Sequence, residues 1–211
     1  MMEIINRSIQ SGEPLSWFEE LYSLSERDRE MIPWDWREPH PFVVEWAREN
    51  RPAGKALVVG CGLGEDAAFL SSLGWEVTAF DISETAVAWA KQIHKDSNID
   101  WVVANLIELS DSWKGIFDLV LEVHIIQAIP KQISEAASKR LAPLVSESGF
   151  LVCIGRIAES KEDPEGPPWP LSMEEIENIG KELEKVEIHT SMIPGKESTR
   201  YRAVWKKASQ I

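Results

Sequence analysis

Short apolar runs alternate with stretches of helical periodicity from about residue 41 onward. Residues 56–59 form an unbroken apolar run, which suits a strand buried on both faces of a parallel sheet. A second run, 76–80, ends in Asp81, and a third, short one covers 100–103. The fourth, 117–123, is interrupted only by Asp118 and Glu122, and Gly149 opens a fifth at 150–154. Residues 185–192 and 199–206 read as two closing strands joined through Pro194 and Gly195. Helices are expected between these runs. One covers about 65–73, and a second starts at the cap Ser83 and runs to about 95, with Ala86, Ala90 and Ile93 on one face. A third has Pro130 in its first turn and ends near 145, and a fourth covers about 172–183. Such alternation implies a parallel sheet with helices on both sides.

Residues 1–50 show no strand pattern. Trp17, Phe18, Leu21, Tyr22 and Leu24 recur at helical spacing and predict a short amphipathic helix. The segment 32–41 is dense in proline and aromatic side chains and predicts an ordered loop, followed by a helix to about 49. The proline-rich stretch 158–170 is incompatible with regular structure. It follows the end of a strand, where ligands bind in open α/β sheets. The 211 residues are expected to form one domain, with 1–50 as a helical, aromatic arm and lid and 51–207 as the core.

Composition narrows the function. The formal net charge is −13, which argues against a polyphosphate partner such as nucleic acid. Solubility explains the acidity; attraction of a cationic cofactor or amine is the sharper alternative. Arg200, Arg202, Lys206 and Lys207 cluster near one end, but a strand there is expected to divide them between its two faces. The two cysteines, Cys61 and Cys153, lie in dissimilar settings and suggest no disulfide framework, so a cytoplasmic setting is expected. No signal peptide and no membrane-length apolar stretch is visible. The four histidines are scattered without zinc-like spacing, so no metal is expected. Ten tryptophans imply heavy aromatic packing.

The chemistry concentrates after the first strand. Gly60, Gly62 and Gly64 alternate with Cys61 and Leu63. Glycine there allows positive φ and close approach of a ligand. Asp81, at the tip of the second strand, is placed to accept hydrogen bonds from both hydroxyls of a ribose. Together they describe a site for an adenosine-containing cofactor, although a tight turn without ligand has the same glycines. The spacing is not G-x-G-x-x-G, and Glu65 and Asp66 follow at once. Two carboxylates at a helix start suit the helix dipole but repel a pyrophosphate, whereas a sulfonium cofactor has no such conflict.

Three segments then carry a resemblance: Val-Val-Gly-Cys-Gly-Leu-Gly-Glu-Asp, Val-Thr-Ala-Phe-Asp-Ile-Ser-Glu-Thr-Ala-Val and Phe-Asp-Leu-Val-Leu-Glu-Val-His-Ile-Ile-Gln-Ala-Ile-Pro. With the tryptophan-rich arm, they resemble class I S-adenosylmethionine-dependent methyltransferases, in the small-molecule branch with thiopurine, thiol and tellurite methyltransferases. The resemblance implies a doubly wound, mostly parallel seven-stranded sheet, Rossmann-like, with an antiparallel final strand. It implies that Gly60, Cys61, Gly62 and Gly64 shape the loop under S-adenosyl-L-methionine. Asp81 would hold the ribose, with Ile82 and Leu106 beside the adenine. Asn105 stands where the family often has aspartate and still offers a carbonyl acceptor. Glu122 and Val123 would lie near the methionine end, with Glu122 either binding its ammonium or simply ending a strand in solvent.

The acceptor side is less explicit. His124, just past the fourth strand, is the candidate general base or a histidine packed in the turn. Trp17, Trp34, Trp36, His40, Arg156 and Trp169 are candidate pocket residues, with ordinary packing or a solvated charge as the alternative. Aromatic faces favour a sulfonium by cation–π attraction, and Arg156 suits a carboxylate. His94 and His189 are read as structural. The leading expectation is methyl transfer to a small molecule, a thiol or other soft nucleophile slightly favoured, by a monomer or homodimer. The alternatives are an N- or O-methyltransferase, a nicotinamide-dependent oxidoreductase, and a non-catalytic binder of the cofactor.

Overall fold

A computed structural model describes residues 1–50, 54–159 and 167–208. Its strands are β1 (Lys55–Val59), β2 (Glu76–Asp81), β3 (Ile99–Val103), β4 (Phe117–Val123), β5 (Val145–Arg156), β6 (Glu184–Met192) and β7 (Thr199–Lys206). They hydrogen-bond in the order β3-β2-β1-β4-β5-β7-β6. The four pairings from β3 to β5 are parallel, while β7 runs antiparallel to both β5 and β6. The helices are α1 (Met2–Gln10), α2 (Ser16–Leu24), α3 (Pro41–Glu49), α4 (Glu65–Ser72), α5 (Glu84–Ile93), α6 (Lys131–Ser138) and α7 (Met173–Ile179).

Strand periodicity divides the core in two. Leu57 and Val59 of β1, Val120 of β4 and Leu151 of β5 point to one side, toward Ala137 of α6 and Ile176 of α7. Ala56 and Val58, Leu119 and Leu121, and Val152 point to the other, toward Phe42 and Trp46 of α3 and Leu70 of α4. Burial on both faces explains why these runs are almost purely apolar. The edge strand β6 is largely exposed and carries Glu184, Lys185 and Glu187, charges that discourage pairing with another chain.

Three elements differ from expectation. Helix α1 has no counterpart in the predicted elements; it buries Ile5 and Ser8 and packs on α2 through Trp17 and Leu21. The helix expected to reach about 145 ends at Ser138, and a short 3-10 turn, Ala142–Leu144, follows. Pro143 supplies no N–H and disfavours helix at the residue before it. Strand β5 begins at Val145, not near 150: Val145 pairs with Phe117, and the register then jumps so that Phe150 pairs with Leu119. Gly149 permits that bulge, since a Cβ there would lie 2.7 Å from the Phe117 carbonyl oxygen. Most of the proline-rich stretch predicted at 158–170 falls on 160–166, outside the described residues, as do 51–53.

The arm is fastened to the core at two points. Glu19 of α2 accepts from the Ser83 hydroxyl at 2.6 Å and from Thr85 N at 3.1 Å, at the start of α5. Arg29 grips both oxygens of Asp35 and also reaches Glu65, the first residue of α4, at 2.5 Å. A bidentate guanidinium of this kind fixes geometry as well as energy.

The turn after β4 is organised by Glu122. Its Oε1 accepts from Ile125 N at 2.5 Å and Ile126 N at 3.0 Å, so the side chain folds back under the turn instead of ending the strand in solvent. The other oxygen, buried beside Cys153, has no hydrogen-bond partner among the described residues. Burial raises its pKa to about 7, against the two backbone hydrogen bonds that lower it. Below its ordinary pKa the group is neutral in both the folded and unfolded chain. As pH rises toward 7 the unfolded chain gives up this proton first, so folding weakens across that window. Glu122→Gln keeps an acceptor for the two N–H groups and removes the titration. The stability of Glu122→Gln relative to wild type should therefore rise by about 2–3 kcal/mol between pH 4.5 and pH 8, read by urea denaturation. A pH-independent difference would mean that Glu122 is ionised throughout.

Candidate functional site

The sheet reverses its winding between β1 and β4, and the crevice beyond their C-terminal ends is where such sheets bind ligands. The loop after β1 is shaped by close contacts. A Cβ on Gly60 would stand 2.3 Å from the Ile125 side chain, and one on Gly64 would stand 2.4 Å from the Trp101 ring. Both have positive φ, 59° and 88°, so only glycine satisfies space and backbone together. Asp81 closes the loop from β2. Its Oδ2 accepts from Gly62 N at 2.9 Å and its Oδ1 from Ser83 N at 3.0 Å. Burial raises its pKa, opposed by these bonds.

Two hollows meet over this loop and share Gly60 and Asp81. The smaller, about 50 Å³, is an apolar slot walled by Ile82, Leu106, Ile107 and Ile129, with Asn105 at its side. The larger, about 270 Å³, is bounded by Cys61, Gly62, Gly64 and Val123 of the core, by Trp17, Trp34, Trp36 and His40 of the arm, and by His124 and Arg156. The fold thus brings most of the sequence-predicted positions to one crevice. Two stand apart. Glu122 is committed to its turn and lines neither hollow. Trp169 lines neither as well; its backbone N–H donates to the Gln127 carbonyl, and Pro167 and Pro168 face the crevice instead. Asn105 spends an Oδ1 lone pair on Ile107 N, capping the short helical turn Leu106–Glu108. The other histidines bond elsewhere: His94 Nε2 meets the Leu63 carbonyl, and His189 packs edge-on against Phe42.

The carboxylates after the loop are not the bare pair that their sequence suggested. Glu65 is bound by Arg29, and Asp66 is half-buried, accepts from His40 N at 2.7 Å and has its pKa raised to about 6 by the desolvation of its carboxylate. The argument against pyrophosphate therefore weakens at Glu65, whose charge is matched, and holds at Asp66.

Sequence reasoning missed four contributors. Tyr22 of α2 accepts from Trp34 Nε1 at 2.9 Å and brings its hydroxyl close to Gly62. Phe18 stacks on Trp17 and also faces both hollows. Gln127 sits beneath His124. Arg200 was grouped with three other cations expected to split between faces. Instead Arg200 and Arg202 share a face: Arg202 is neutralised by Glu45 and Glu187, while Arg200 lies opposite Arg156 in the β5–β7 ladder. Like charges directly opposite are unfavourable in a sheet. Neither arginine has a carboxylate partner among the described residues, and both Nε atoms are buried without a hydrogen bond. Among the described residues the Arg200 side chain bonds only to the Ser198 carbonyl and hydroxyl, and burial with Arg156 nearby lowers its pKa.

Two neutral histidines complete this end. Burial lowers the pKa of His40 to about 3 and that of His124 to about 4, and Arg200 pushes both the same way. Their ring centroids are 5.7 Å apart. His40 Nδ1 accepts from Phe42 N, so its hydrogen is on Nε2, a buried donor with no partner. Trp36 stacks on His40, and Lys196 lies 4.2 Å above the Trp36 ring.

The site suits a nucleoside cofactor that carries a sulfonium. The apolar slot takes a base, each Asp81 oxygen keeps a second lone pair for a ribose, and Asp66 and the aromatic walls favour positive charge over phosphate. No group of His, Cys, Asp and Glu among the described residues could hold a metal ion.

Comparison with known proteins agrees with this geometry. The chain is 27% identical over 187 residues to thiocyanate methyltransferase 1 of Arabidopsis thaliana, covering 85% of this chain and 82% of that one. It is 27% identical over 150 residues to a probable thiol methyltransferase 2 of the same plant, covering 70% and 66%. Among solved structures, a protein that converts a disulfide bond into a thioacetal group in echinomycin biosynthesis superposes with a TM-score of 0.74 at 19% identity, over 93% of this chain and 92% of that one. The N-methyltransferase NodS of Bradyrhizobium japonicum WM9, bound to S-adenosylhomocysteine, superposes with a TM-score of 0.73 at 16% identity, over 90% and 97%. Residues 25–202 match the thiopurine S-methyltransferase family, and the chain belongs to that family of S-adenosylmethionine-dependent methyltransferases.

Proposed function

We propose that this methyltransferase acts on a small soft anion or an ionisable thiol bound between Arg156 and Arg200. The observation that carries the proposal is that pair: two cations opposed across one ladder, each with a buried Nε that has no hydrogen bond, and without acid partners among the described residues. In a chain of net charge −13, such a pair is unfavourable until an anion lies between its members. Two guanidinium groups lower the pKa of a thiol beside them and hold the thiolate. An amine acceptor has the opposite requirement, because it must be neutral to react and gains nothing from two arginines. The names of the plant relatives, thiocyanate and thiol methyltransferases, point the same way.

Each lobe has a task in this proposal. Asp81 holds the ribose; Ile82, Asn105 and Leu106 hold the adenine; Gly60, Cys61, Gly62, Gly64 and Val123 form the floor under the methionine. When bound, the cofactor supplies an electrophilic methyl on a positive sulfur. The protein then has to align the nucleophile and exclude water, where positioning alone is worth on the order of 7–11 kcal/mol. Trp17, Tyr22, Trp34 and Trp36 form the wall that keeps water out, with the arm serving as lid over the core. His40 offers Nε2–H to the anion, and His124 is the candidate proton acceptor. The proposal also places the protein in the cytoplasm, as a monomer or homodimer, since Cys61 and Cys153 are free thiols. No helix among the described residues is long and apolar enough to cross a membrane.

Incubation with methyl-labelled cofactor and panels of thiols, soft anions, amines and phenols tests the class; label in amines or phenols alone would sink it. Arg200→Met and Arg156→Met should each raise the KM for an anionic acceptor about 10- to 100-fold, the loss of one charge-assisted hydrogen bond. S-adenosylhomocysteine affinity should change by less than twofold in both variants, read by calorimetry. Asp81→Ala should do the reverse, weakening S-adenosylhomocysteine by about 2–3 kcal/mol through two lost hydrogen bonds to a carboxylate. Equal cofactor affinity in that variant would show that Asp81 does not hold the ribose.

A further inference from the structure

His124 occupies a position that asks for glycine. Its φ is 64°, in the left-handed region, while its backbone N–H donates to the Ile154 carbonyl at 2.8 Å and extends the β4–β5 ladder. A bulky residue held there signals a constraint worth explaining by function. Its side chain is constrained as well. His124 Nδ1 is 2.8 Å from Gln127 Oε1.

The orientation of that amide is not free. Gln127 Nε2 donates to the Arg156 carbonyl at 3.1 Å, and Arg156 N donates to Gln127 Oε1 at 2.8 Å. A backbone N–H needs an acceptor and a backbone carbonyl needs a donor, so the amide fits one way only. Oxygen therefore faces His124, the hydrogen of the imidazole is on Nδ1, and Nε2 carries a lone pair. The seat for Gln127 is built into the strand: a Cβ on Gly155 would stand 2.9 Å from Gln127 Nε2 and 2.8 Å from the Tyr201 ring. His124 lines the larger hollow beside Arg156 and Arg200, and its Nε2 makes no hydrogen bond among the described residues.

We infer that Gln127 is a positioning residue that locks His124 in the Nδ1–H form, so that the pocket selects an acceptor carrying its own S–H over an equally soft anion without hydrogen. The inference rests on the anion reading of the Arg156–Arg200 pair and narrows it. A lone pair set between two guanidinium groups is itself part of the recognition. An S–H donates to it, whereas a bare anion meets lone pair against lone pair. With hydrosulfide, a sulfur lone pair forms the new bond to the methyl carbon as the bond from that carbon to the sulfonium breaks and leaves its electron pair on the cofactor sulfur, while the S–H stays on the product thiol and keeps its hydrogen bond to Nε2. No proton is released, because the charge of the anion cancels that of the sulfonium.

Hydrosulfide and thiocyanate are suitable probes, because both are small soft anions and only the first bears hydrogen. Wild type should show kcat/KM for hydrosulfide at least tenfold above that for thiocyanate. Gln127→Met should lower the hydrosulfide value about tenfold and leave thiocyanate within threefold, with S-adenosylhomocysteine affinity unchanged. Gln127→Glu keeps an oxygen for both donors, though it loses the hydrogen bond to the Arg156 carbonyl, and should retain the direction of the wild-type preference. Nitrogen-15 NMR of the unsubstituted protein should show His124 as the Nδ1–H tautomer at pH 7, a readout that needs no variant to fold. An Nε2–H signal in wild type, or an unchanged preference in Gln127→Met, would overturn the inference. If neither anion is methylated, the anion reading itself fails, and the tautomer signal still decides for or against the role of Gln127.

Discussion

Burial on both faces of β1, β4 and the middle of β5 leaves no room for polar side chains along those strands. Chemistry can emerge only where the strands stop. In a parallel sheet they stop along one rim, and the N-terminal end of an antiparallel strand joins that rim. Asp81, Glu122, His124, Arg156 and Arg200 all sit there for this reason. The crevice follows from the sheet's need for dry faces, with the glycine loop supplying the only close approach.

Electrostatics then operates on two length scales. At long range the chain is strongly acidic, and an anion approaching it meets an unfavourable field. At short range Arg156 and Arg200 reverse the sign. Salt at physiological strength screens charges beyond about 8 Å, so the acidic surface weighs little on a small monovalent anion. Polyanions cannot escape it in the same way. The charge pattern therefore sets a small monovalent anion apart from a polyanion before any contact is made.

The central strands were legible because their apolar runs are short, little interrupted and bounded by glycine or acid. The glycine loop was legible for a related reason: Gly60 and Gly64 hold positive φ, and Asp81 takes the backbone N–H groups of Gly62 and Ser83. Glu122 was not, since a carboxylate at a strand end reads alike whether it faces solvent or folds back onto Ile125 and Ile126. Arg200 and Gln127 were missed because each acquires meaning from a distant partner. Arg156 meets the first through the β5–β7 register and the second through backbone hydrogen bonds, and neither relation has a local signature. Helix α1 escaped because it buries little, and β5 because its first residues precede a bulge.

The arm is held by Glu19 at the start of α5 and by Arg29 at the start of α4, the two helices that begin at the floor of the crevice. The same arm supplies Trp17, Tyr22 and Trp34 to the wall of the larger hollow. One wall of the crevice is thus tied to the core through an ion pair and the start of a helix. Both fastenings are half-exposed, and one of them is a pair of opposite charges. Salt screens that pair and leaves the other fastening, so ionic strength bears on one of the two points by which the arm is held over the crevice.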